Sequence, residues 1–108
     1  MTRLLASLAL GGLLAGFTGG AAAPKPATVK IAIDGMHFSP AGAQARAGDT
    51  VVWTNGDVVA HTVTALNGAF DSKMIAPGGT WKYVVKKAGT FDYKCSYHQP
   101  MTATLTVR

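Results

Sequence analysis

The chain is 108 residues long with a formal charge of +5, carried by ten Lys and Arg against five acidic residues, all of them Asp. That length bounds it to one domain, and cations scattered without an Arg cluster exclude the usual nucleic-acid footprint. Cys95 is the single cysteine, which excludes an internal disulfide.

In chain order, Met1-Thr2-Arg3 opens with a cation and Leu4 to Phe17 is mostly Leu, Ala and Gly. Small residues then follow to Ala23, with Ala21 and Ala23 in an Ala-x-Ala pattern. This order predicts a secretory signal peptide over 1–23 and one mature domain over 24–108, exported to the periplasm. The apolar run is short and Gly-rich beside the roughly 20 residues of a membrane span. No stable membrane insertion is expected after cleavage; an uncleaved anchor is the competing reading. Without Arg3, nine cations face five Asp, a net charge of +4. Such a surface favours acidic partners or anionic membranes through long-range steering.

Pro24 to Ala27 reads as an exposed leader. Thr28 to Ile33 alternates, with Val29, Ile31 and Ile33 on one face, as a half-buried strand does. Met36, Phe38 and Pro40 follow in an irregular stretch, and Gln44 to Ala47 is a short extended piece before the Gly48-Asp49 turn. Thr50 to Thr54 is β-branched and aromatic, a strong strand. Asn55-Gly56-Asp57 signals a turn. His61 to Ala65 alternates again and points His61 inward. Leu66 to Ile75 has room for a short helical turn. Trp81, Tyr83 and Val85 share the inner face of the next strand, and Phe91, Tyr93 and Cys95 that of the one after. Thr102 to Arg108 closes the chain with Ala103, Leu105 and Val107 inward. Short strands at this spacing, separated by turn signals, predict an all-β sandwich.

The chemistry gathers at Cys95-Ser96-Tyr97-His98-Gln99-Pro100-Met101. A thiolate, an imidazole and a thioether stand three residues apart in a loop after a core strand, and Pro100 keeps Gln99 from helical geometry. His61 approaches from another strand. Taken singly, His61 is an ordinary half-buried histidine, Met101 a core filler and Cys95 a small core residue. Together they are the donor set of a one-electron copper site. Zinc could use the same Cys and two His but would gain nothing from Met101. In an exported chain, burial or metal ligation would also protect the lone thiol from oxidation. His37, the remaining imidazole, faces out by alternation. Asn55 and Thr62 are the candidates to pin the His61 segment to the Cys95 loop.

These pieces, with Phe38-Ser39-Pro40, Ala47 to Asn55, His61-Thr62-Val63 and Pro77-Gly78-Gly79, resemble the cupredoxins, the small blue copper proteins. The resemblance covers roughly Thr28 to Arg108. The spacing of the ligand loop is most similar to that of the amicyanin branch, with plastocyanin- and pseudoazurin-like features elsewhere. It implies a Greek-key β-sandwich holding one type 1 copper, with His61, Cys95 and His98 equatorial and Met101 a long axial ligand. It also implies electron transfer through the edge of His98, inside an apolar patch for which Pro100, Pro77, Met74 and Ile75 are candidates. Ala60, Thr62, Gln99-Pro100 and Thr102 depart from common family residues and bear on partner and potential more than on ligation.

Three functions compete. The first is an electron shuttle cycling Cu(II)/Cu(I) as a monomer between redox proteins with acidic docking surfaces. The second is a copper carrier or storage protein delivering the ion to another protein. The third, a copper enzyme, needs a second copper site with several more histidines, and only His37 is left over; the expectation is no enzyme.

Overall fold

The computed structural model describes residues 24–108. The expected signal peptide over 1–23 lies outside the described residues. Among the described residues there are eight strands: β1 (Thr28–Asp34), β2 (His37–Ser39), β3 (Gly42–Ala45), β4 (Thr50–Asn55), β5 (Thr64–Ala65), β6 (Thr80–Val84), β7 (Gly89–Lys94) and β8 (Thr102–Val107). They form two four-stranded sheets, ordered β2-β1-β4-β6 and β3-β8-β7-β5. β1 lies parallel to β4 and β3 parallel to β8, whereas the other neighbours are antiparallel. Parallel neighbours cannot be joined by a tight hairpin, so the chain crosses between sheets, as in the predicted Greek-key sandwich. Among the described residues there is no α-helix, and no helix is long and apolar enough to cross a membrane.

Alternation sets the core. Ile31 and Ile33 of β1, Val51 and Trp53 of β4, Tyr93 of β7, and Ala103, Leu105 and Val107 of β8 are buried between the sheets. Each large side chain so buried stabilises the fold by about 1.5–3 kcal/mol. Trp53 stands at the centre. Its ring meets Tyr93 edge-on at 5.7 Å between centroids, and its Nε1–H donates to the Tyr93 hydroxyl at 3.2 Å. Burial pushes the Tyr93 phenol up to about 12, with the Trp53 hydrogen bond opposing the shift.

Two expected elements differ. His61 to Ala65 is not one strand: only Thr64 and Ala65 pair with β7, and His61 makes an isolated bridge to Ile75. Val63 N–H instead donates to the Ser72 hydroxyl at 2.7 Å, so local side-chain bonds displace the ladder. Leu66 to Ile75 forms no helical turn; Phe70 packs from this loop into the aromatic core.

The strand directions give the sandwich two ends. β1, β4 and β7 finish where the Asn55 turn, His61 and Cys95 gather. β3, β6 and β8 finish at the other, beside the Lys86-Lys87 turn.

Candidate metal centre

His61, Cys95 and His98 come together at the first of these ends, with their nitrogen and sulfur donor atoms all within 4.8 Å of one another. The backbone explains why. Cys95 follows β7 directly, and its N–H donates to the Met101 carbonyl at 3.1 Å. Within the loop, Met101 N–H donates to the His98 carbonyl at 3.1 Å and His98 N–H to the Cys95 carbonyl at 3.4 Å. The seven-residue segment thus closes on itself. Met101 is buried at its end. His61 exchanges both backbone bonds with Ile75, at 3.1 and 2.8 Å.

Exposure is graded. His61 and Cys95 are buried at 0% and 1%, while His98 is half-buried. The two imidazoles meet edge-on, 4.9 Å between centroids. His61 Nδ1 lies 3.6 Å from Cys95 Sγ. Metal–nitrogen bonds of about 2.0 Å and metal–sulfur bonds of about 2.3 Å permit donors up to about 4.3 Å apart on one ion, so this pair stands at sharing distance. Nitrogen plus thiolate, with a thioether buried alongside, suits copper, and the residues fit the ion the sequence implies.

Thr62 acts as the sequence predicts. Its N–H donates to Cys95 Sγ at 3.3 Å, and its hydroxyl accepts from Ser96 N–H at 2.8 Å. Asn55 is fully buried but serves a different segment. Its Nδ2 donates to the carbonyls of Val59 and Ile75 at 2.9 and 3.0 Å, and its Oδ1 accepts from Asp57 N–H at 2.9 Å. It braces the approach to His61 rather than the Cys95 loop. His37 is exposed on β2 and stands outside the cluster. Of the four patch candidates, Pro77, Pro100 and Met74 are exposed, whereas Ile75 is buried. Tyr97, exposed beside His98 at 6.4 Å between centroids, joins them.

Sequence reading missed Asp57, which appears there only as part of a turn. Its Oδ2 accepts from His61 Nε2 at 2.8 Å, leaving Nδ1 for the sulfur side. The same oxygen accepts Met36 N–H at 3.0 Å, and Oδ1 accepts Gly35 N–H at 2.7 Å. The Met36 N–H does most to lower the Asp57 pKa; partial desolvation opposes it, and His61 and the Gly35 N–H add to the lowering. Gly35 and Met36 both have positive φ, 60° and 65°, the two-residue hairpin turn that joins β1 to β2. An L side chain at Met36 costs about 1–2 kcal/mol there; the carboxylate offsets this by holding both turn N–H groups. The sequence signal was weak, because nothing in the spacing of a loop Asp and a strand His fixes their contact.

Residues 6–107 match the cupredoxin-like domain family. The chain is 32% identical to amicyanin of Paracoccus versutus over 93 residues, covering 81% of this chain and 70% of that one. It is 30% identical to plastocyanin of Scenedesmus fuscus over 96 residues, covering 75% and 98%. Among solved structures, a purple cupredoxin from Nitrosopumilus maritimus superposes with a TM-score of 0.67 at 28% identity, covering 74% of this chain and 99% of the other. An oxidised amicyanin variant superposes at 0.70 with 24% identity, covering 75% and 82%, a likeness of fold.

Proposed function

This chain belongs to the cupredoxin-like family of electron-transfer proteins, and from that premise we propose that it is an exported, periplasmic type 1 copper protein shuttling single electrons between redox partners. The supporting observation is the graded cluster: a buried thiolate and a buried imidazole at 3.6 Å, with a second imidazole reaching the surface. In this reading His61, Cys95 and His98 would hold one copper ion, and Met101 would supply a thioether. Bound copper supplies a Cu(II)/Cu(I) couple. The chain holds the donors in one frame for both oxidation states, which keeps reorganisation small. Thr62 N–H stabilises charge on the thiolate, and Asp57 fixes His61 with Nδ1 inward. His98, with Tyr97 beside it and the exposed Pro100, Met74 and Pro77 as candidates for the surrounding patch, is the point of exchange with a partner.

The alternative, copper delivery, requires a donor set that can be opened to an acceptor. Burial of Cys95 and His61 favours the shuttle. The expectation of acidic partners is also refined by the fold. Lys73 and Lys94 share the metal end with Asp34, Asp57 and Asp71, so a partner meeting His98 faces mixed charge around an apolar patch. The mature domain is proposed as 24–108, acting as a monomer and not as an enzyme. The test is Cu(II) titration of the purified chain. An intense blue or purple thiolate-to-copper absorption is expected at one equivalent, lost in Cys95→Ser. A folded chain that stays colourless in excess Cu(II) overturns the proposal.

A further inference from the structure

The fold sorts charge by end. Lys25, Arg46, Lys86, Lys87 and Arg108 are all exposed at the end opposite His98. Backbone bonds hold their segments side by side: Ala47 N–H to the Arg108 carbonyl at 2.8 Å, Gly48 N–H to Val85 at 2.7 Å, and Thr50 N–H to Ala27 at 3.0 Å. Lys25, Arg46 and Arg108 line one open pocket with Pro24, Pro26 and Asp49. Asp49 is buried, and its carboxylate accepts the N–H groups of Ala27 and Arg46, both at 2.8 Å. Arg108 also donates to Gln44 Oε1 at 2.6 Å. Even with Asp49 set against them, cations remain in excess.

A specific protein interface is built on an apolar centre. Of the large exposed apolar side chains, Met36, Val58, Val59, Met74 and Tyr97 lie in segments at the metal end, Leu66 lies beside the middle of β7, and Val84 is near the basic end. Long, solvated cations without an apolar centre suit a diffuse anionic surface, where each Lys or Arg near anionic lipid contributes about 1 kcal/mol. We propose that the basic end seats the protein on an anionic lipid surface, leaving the His98 end free for a redox partner.

The test is co-sedimentation of the full copper-loaded chain with vesicles of pure phosphatidylcholine or of phosphatidylcholine with phosphatidylglycerol. Any apolar contribution from the N-terminal stretch is common to both, so the preference for phosphatidylglycerol reads the basic end. Each neutralised lysine should lower that preference about fivefold, and Lys86→Gln with Lys87→Gln about 25-fold. Lys73→Gln, at the metal end, should leave it unchanged, and 0.5 M salt should abolish it. Both lysines of the pair are exposed turn residues, and retained copper absorption confirms folding independently of lipid. Equal binding to the two vesicles overturns the proposal, as does a loss with Lys73→Gln that matches the pair.

Discussion

Asp57→Asn isolates the contact that sequence reading missed. The carboxylate accepts three N–H groups: Gly35 on one oxygen, Met36 and His61 on the other. An isosteric amide keeps one acceptor oxygen and turns an NH2 towards the remaining donors. If the amide oxygen stays with Met36 and His61, the NH2 opposes Gly35 N–H; if it turns, it opposes the imidazole. Either way His61 loses a charged partner and its orientation loosens. Loss of such an outer partner costs about 10–100-fold in metal affinity. A full negative charge near the ion stabilises Cu(II) more than Cu(I), so the loss falls mainly on the oxidised form. Tenfold in a one-electron equilibrium is about 59 mV, so the potential should rise by about 60–120 mV. The assay pairs competition of Cu(II) against a chelator with spectroelectrochemistry, and near-ultraviolet circular dichroism of the apo protein separates unfolding from a site effect. A variant that folds and keeps both wild-type affinity and potential would refute the reasoning.

Tyr93→Phe strands the buried Nε1–H of Trp53 and should cost about 1–3 kcal/mol in denaturant unfolding with the copper absorption preserved; a change within ±0.3 kcal/mol would show that the bond is not needed. Acid stability follows from three carboxylates. Asp49, Asp57 and Asp71 are all held below the ordinary carboxylate range, chiefly by the backbone N–H groups of Ala27, Met36 and Lys73 respectively. A depressed folded pKa gives stability that is present above the unfolded value and lost as pH falls through the folded one. The unfolding free energy of the apo protein should therefore decline below about pH 4, less so in Asp71→Asn, and a curve flat from pH 5 to pH 2 would contradict the assignment.

Thr102 to Arg108 was legible by its period-two alternation, because one face is buried along its length, and Thr50 to Thr54 by its β-branched and aromatic residues. The ligand loop was legible because its donors are spaced around a single cysteine. His61 was found as an inward residue, yet its strand was not real, because the alternation of His61, Val63 and Ala65 is met by side-chain bonds from Ser72 and a bridge to Ile75. Trp81 and Tyr83 face the core only partly, since β6 is an edge strand. Asp57 could not be read, because its partners Gly35, Met36 and His61 are joined by folding alone. The distribution of charge was equally hidden: cations scattered along the sequence collect at one end only once strand directions are known.

The bonds among Thr62, Ser96 and Cys95, and between Asp57 and His61, run from protein to protein. Cys95 and His61 are each braced by a residue outside the donor set, so a change at Thr62 or Asp57 reaches the site without altering a donor.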